Sequence, residues 1–172
     1  MNLQRLLAGQ EQVNWVQTPT NSEQPPESVH VTATLADVKV DGSTCTLTYK
    51  DGRVFPDQHY DSLQTWTVRI PAIDRIRVDS LEAFVNRYRT EGGHPSWGTK
   101  TTPVVFTLQM FAAAKQSFEV HRWSKNGGSD PIERDLHQPM AFIIFAGEAA
   151  ARETAKALDL AKDSCARQSE LR

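Results

Sequence analysis

The sequence predicts a mainly β chain closed by one long C-terminal helix, an α+β layout of seven strands with a short helix inserted between the fourth and the fifth. Three observations carry this. From Val29 onward, apolar residues recur at every second position, the period of a half-buried strand. Asp41-Gly42 stands between two such runs as a hairpin turn signal. The apolar run from Met140 to Phe145 then turns through Ala146-Gly147 into a helix beginning near Glu148. In that helix Ala150, Ala151, Thr154, Ala157, Leu158, Ala161 and Cys165 share one side, and Arg152, Lys156, Asp159 and Asp163 the other. The apolar side is mostly alanine, so the helix can lie close on the strands it covers.

The elements follow in order. Residues 1–12 predict a short helix with Leu3, Leu6 and Leu7 on one side, which needs a surface to dock on because isolated helices of this length are marginal in water. Thr18 to Ser28, rich in proline, serine and glutamate, reads as an extended linker, dividing an appendage, 1–28, from a domain, 29–172. Val29, Val31, Ala33 and Leu35 form the first strand, and Val38 and Val40 resume on the opposite parity after a bulge at Ala36-Asp37. Cys45, Leu47 and Tyr49 form the second, ended by Lys50-Asp51-Gly52-Arg53 and a polar loop to about Asp61. Trp66, Val68 and Ile70 form the third, and after a corner at Pro71 the residues Ile73, Ile76 and Val78 form the fourth. Leu81, Phe84, Val85 and Tyr88 sit at helical spacing, with Asp79 and Glu82 as a capping box. After a loop at 92–98, Val104, Phe106, Leu108 and Met110 form the fifth strand, and Phe118 and Val120 the sixth, paired to the fifth. Asn126 to Pro131 is a loop, and 139–145 is the seventh strand.

Seven strands in sequential hairpins and one closing helix resemble the pleckstrin-homology-like superfamily, in the layout of its bacterial and GRAM-like members. The stretch FIIFAGEAAARETAKALDLAKDSC is most similar to their ending, and WTVRIPAIDRIRV, from Trp66 to Val78, is similar to their third and fourth strands. The resemblance covers residues 29–168. It implies two nearly orthogonal sheets of four and three strands in a partly open barrel that the helix plugs. The chain departs from it in the inserted helix and in lacking a tryptophan on the closing helix.

Bulk properties narrow the function. With 172 residues, 19 basic against 21 acidic side chains, there is no overall positive field to collect nucleic acid. No run of 18 apolar residues predicts a membrane span, and the first residues lack the apolar core of a secretory signal. The chain therefore reads as cytoplasmic, or as exported if Cys45 and Cys165 are bridged. Those two cysteines are either two small buried residues or a disulfide between an early strand and the inner face of the closing helix, and an oxidising compartment decides between them.

No catalytic, cofactor-binding or metal-ligating set emerges. G-x-S-x-G, phosphate-loop and dinucleotide fingerprints are absent, and Cys165 on a buried face is a poor nucleophile. The histidines, His30, His59, His94, His121 and His137, show no metal-ligand spacing, and His121 beside Arg122 and Trp123 reads as part of a surface ladder. In the superfamily, phosphoinositides are held by cations around the first hairpin; here Lys39, Lys50 and Arg53 are interleaved with Asp41 and Asp51, so strong anionic-lipid binding is not expected. Trp66 reads as core. Trp97 and Trp123 are large side chains outside the obvious core and are the candidate partner-binding residues. The expectation is a non-enzymatic module, without cofactor or metal, that binds a protein or peptide at a sheet edge or beside the closing helix. A small-ligand or lipid-binding barrel comes second, and an unrecognised hydrolase third.

Overall fold

The computed structural model describes residues 2–20, 27–91 and 98–170. The chain runs α1 (Leu3–Ala8), β1 (Val13–Thr20), β2 (Val29–Asp41), β3 (Thr46–Phe55), β4 (Tyr60–Arg69), β5 (Ile73–Ser80), α2 (Leu81–Glu91), β6 (Gly98–Thr102), β7 (Phe106–Ala112), β8 (Phe118–Asn126), β9 (Ile132–Gln138), β10 (Met140–Phe145) and α3 (Glu148–Glu170). The strands form two antiparallel sheets, one of seven in the order β6-β1-β2-β3-β4-β8-β9 and one of three in the order β10-β7-β5. No helix among the described residues is long and apolar enough to cross a membrane.

Mainly β with a C-terminal helix is therefore right, but the described residues hold ten strands rather than seven, and the sheets do not close into a barrel. The three additional strands are β1, β6 and β9, which form the two flanks of the large sheet. Thr18 to Thr20, expected as linker, end β1 and pair with Lys100, Thr99 and Gly98. The fifth and sixth predicted strands, β7 and β8, are not partners. Thr107, Leu108, Gln109 and Met110 are all buried, which places β7 between β5 and β10 with both faces covered, while β8 pairs with β4 and β9.

One strand runs further than its sequence implies. β3 continues through Asp51 and Arg53, which satisfy each other as an ion pair (Nη2 to Oδ2, 2.8 Å) instead of breaking the strand, so the loop shrinks to a turn around Pro56–Gln58. Burial raises the Asp51 carboxyl above the usual range, and the Arg53 guanidinium opposes that rise. His59 takes the left-handed conformation that closes the turn (φ 50°). The bulge in β2 is where it was expected, with the register shifting between Ala36 and Lys39 and Asp37 at φ 51°. The start of α2 is corrected: the Ser80 hydroxyl, not Asp79, accepts the Ala83 N–H (3.1 Å).

Two cores result. The larger takes Leu47, Tyr49, Trp66, Val68, Phe118 and Val120 from the large sheet, Leu108, Met110, Ile143 and Phe145 from the small one, and Ala151, Ala157 and Leu158 from α3. Leu3 and Leu7 of α1 complete it, so this short helix owes its stability to docking. The smaller core packs Val13, Trp15, Val31 and Ala33 against Ile144, Leu81 and Val105. The small sheet is thus covered on one face by α3 and on the other by α2 and the first two strands. Cys45 and Cys165 are disulfide-bonded, with Cα atoms 5.9 Å apart, tying the β2–β3 turn to the last turns of α3.

Candidate functional site

A strand at the rim of a sheet leaves alternate backbone N–H and C=O groups without partners, and a protein must cover them or use them. Among the described residues, side chains reach outward backbone groups on three of the four rims, two on β6 and one each on β10 and β5. Along β6, the Glu82 carboxylate of α2 accepts the Thr101 N–H (2.6 Å) and the Asn86 amide oxygen accepts the Thr99 N–H (3.3 Å). These are the outward donors, since Thr99 lies opposite Pro19, which has no N–H to exchange with it. Along β10, the Ala112 N–H donates to Pro139 O (2.8 Å), so by alternation Met140, Phe142 and Ile144 point their backbone groups outward, and Tyr49 Oη donates to Phe142 O (3.4 Å). Along β5, which α3 packs beside, Lys162 Nζ donates to Asp74 O (3.3 Å).

The fourth rim, β9, is open. Among the described residues it pairs only with β8, and Ile132, Glu133, Arg134, Asp135 and His137 are exposed. Pro131 and Pro139 bound it, so the available edge is seven residues long. Register assigns its two faces: Val120, in the large core, lies opposite Leu136, so Ile132, Arg134 and Leu136 share the inner face. Glu133, Asp135 and His137 share the outer one, beside Trp123, His121 and Glu119 of β8.

The outer face carries a charge network. His121 Nδ1 bonds Asp135 Oδ1 (2.7 Å), and its Nε2 lies 4.0 Å from Glu133 Oε1. The hydrogen bond to Asp135, reinforced by both carboxylates, raises the His121 pKa. Thr65, Thr67, Glu119, His121, Asp135 and His137 border a shallow depression of about 290 Å³ alongside this network. Trp123 lies between Leu63 and Glu133 in the same ladder, half-buried, with Leu63 exposed.

The other sequence candidates are dispersed. Trp97 lies outside the described residues. Trp66 is buried core, as expected. Lys50 pairs with Asp37 (2.6 Å) and Arg53 with Asp51, so two of the three cations of the first hairpins, Lys39 being the third, are engaged by carboxylates. His30 is held by Asp57, which accepts both its backbone N–H (2.7 Å) and its ring (2.8 Å) and so fixes the β3–β4 turn to β2. Sequence reasoning missed β9 and with it Glu133, Arg134 and Asp135; the two prolines that bound it were the available signal. Comparison with protein-family models, with curated proteins and with solved structures finds no match to this chain.

Proposed function

We propose that this protein is a non-enzymatic, pleckstrin-homology-like module that binds an extended peptide segment of a partner protein by strand addition along β9. The observation that carries this is the contrast among its rims: side chains or a helix engage three of them, and β9 alone among the described strands is left exposed at the end of the large sheet. Strand addition takes its affinity from backbone hydrogen bonds and its selectivity from alternate side chains. The face chemistry defines the partner. Residues of the added strand on the outer face meet Glu133 and Asp135 and are basic, while those on the inner face meet Ile132, Arg134 and Leu136 and are apolar or acidic. Trp123, one strand in, offers a half-buried ring to a long side chain reaching across β9. The Cys45–Cys165 bridge favours an oxidising compartment as the setting.

The test is titration of the full chain with a seven-residue peptide alternating lysine and valine, against one of the same composition with lysines and valines in two blocks. The alternating peptide is expected to bind, with backbone amide shifts concentrated in β9 and β8. The double substitution Glu133→Lys and Asp135→Lys, at two exposed positions, is expected to weaken it by tenfold or more, about 1.4 kcal/mol. Equal binding of both peptides, or shifts centred on another edge, would refute strand addition at β9.

A further inference from the structure

The small sheet carries a second feature that the peptide edge does not use. On β5, Arg75 lies opposite Phe111, Arg77 opposite Gln109 and Asp79 opposite Thr107, so these six side chains share the sheet face turned away from α3. Two guanidiniums gather on one ring: the Cζ of Arg75 is 4.4 Å and that of Arg77 5.7 Å from the Phe111 centroid, and Arg77 also acts on the Asp79 carboxylate beside it through charge. Among the described residues neither has a carboxylate at ion-pair distance. Asp79, the acid that shares this face of β5, is already committed, taking Arg87 Nη1 at 2.7 Å and Gln109 Nε2 at 3.2 Å. Arg87 and Phe84 of α2 close the far side of a cleft of about 90 Å³, over which Gln109 is fixed by a second hydrogen bond to Thr107 (2.8 Å).

Two like charges drawn to one aromatic face repel each other, and the ring's quadrupole offsets only part of that repulsion. An oxyanion placed between them removes the repulsion and accepts charge-assisted hydrogen bonds, for which paired N–H donors of guanidinium are well shaped. The volume admits one head group, and the phenyl rings of Phe84 and Phe111 offer apolar surface beside it. We infer that this cleft binds a small organic oxyanion, a phosphate monoester or carboxylate whose carbon body rests on the phenyl rings. The inference is independent of strand addition, since it uses the other sheet and none of the β9 residues.

The probe is phenyl phosphate, titrated into the full chain and followed by amide and arginine side-chain chemical shifts, with benzoate and inorganic phosphate in parallel. Saturable binding at one site is expected, with a Kd of about 1 mM or tighter for phenyl phosphate and weaker binding of inorganic phosphate. Benzoate binding as tightly as phenyl phosphate identifies a carboxylate as the natural head group; weaker benzoate binding identifies a phosphate. The double variant Arg75→Gln, Arg77→Gln, whose fold is checked by its amide spectrum, is expected to lose at least about tenfold in affinity. Lys156→Gln on the exposed side of α3 is expected to leave it unchanged. Wild-type affinity in the double variant, an equal loss in Lys156→Gln, or no saturable binding of any of the three probes would overturn the assignment.

Discussion

The two flanks of the large sheet, β6 and β9, are built from equally unpromising sequences and are treated in opposite ways. β6 (GTKTT) has no large apolar residue, yet Thr99 and Thr101 are buried, because Glu82 and Asn86 of α2 accept the N–H groups that its rim would otherwise leave open. β9 (IERDLHQ) has two large apolar residues and stays exposed at its rim. The difference is whether a neighbouring segment of the chain provides a helix: α2, which precedes β6, packs beside it, whereas Pro139 carries β9 directly into β10 and the other sheet. Coverage of an edge is thus decided by topology, not by the hydrophobicity of the strand. A strand with charges on both faces resists unselective pairing and still offers its backbone to a complementary segment.

The largest expected effect separates the stability of the scaffold from the use of its open edge. Replacing Cys45 and Cys165 with serine removes a crosslink spanning 120 positions, and in the chain-entropy model it is expected to cost about 4 to 5 kcal/mol of stability, observed losses commonly being about 2 to 5. Denaturant unfolding of the oxidised protein and of the double variant checks this. Peptide affinity at β9 is expected to stay within about twofold in conditions where the variant remains folded, since the bridge joins the β2–β3 turn to α3 and neither cysteine lies on β8 or β9. A tenfold loss of affinity in the folded variant would mean that the two regions are coupled and that the flanks cannot be treated as separate. Thiol titration of the unfolded, unreduced protein should find no free thiol; two would show that the pair is not bridged.

The next effect is uncapping the closed flank. In Glu82→Ala the Thr101 N–H, on a residue 2 % exposed, loses its charged acceptor, and the expected cost is about 1 to 3 kcal/mol. The same truncation at the open flank, Glu133→Ala, is expected to change stability by no more than about 0.5 kcal/mol. Parallel thermal or denaturant unfolding of the two variants measures the contrast. Equal costs would mean that Glu82 does not close β6 in solution.

This asymmetry also explains what could be read without the structure. α3 was legible because one of its sides is buried and the other wet, and the 3.6-residue period of that division shows in the residues themselves. The β2–β3 hairpin and its bulge were legible for the same reason at period two. The flanking strands carry no such contrast. Buried threonines in β6 read as polar, Pro19 in β1 reads as a breaker although it faces a partner that needs nothing from it, and β9 has charge on both faces because little covers either. Missing all three hid the sheet's true width and the candidate edge with it. Trp123 stands out in the sequence by its size alone; its neighbours His121, Glu133 and Asp135 come together only through the β8–β9 register.

The smallest effect is also the most local. His121 faces Asp135 and Glu133 of β9, with Glu119 beside it on β8, His137 on β9 and the neutral Thr65 hydroxyl on β4. Its pKa is raised in the folded protein, so its contribution to stability is fully present below the unfolded value of about 6.5 and is lost as pH rises through the folded value. Peptide affinity should run the other way. The protonated imidazole partly neutralises Glu133 and Asp135, and its deprotonation leaves the outer face more negative, so a lysine-bearing strand binds more tightly at pH 8 than at pH 5.5. By linkage, the same peptide must lower the His121 pKa, because a second cation competes for the same carboxylates. Imidazole chemical shifts titrated with and without the alternating peptide measure this directly, and His121→Gln should flatten the pH dependence of binding. A His121 pKa that the peptide leaves unmoved or raises would put the peptide's basic side chains somewhere other than the outer face of β9, and would leave the closed and open flanks equally unused.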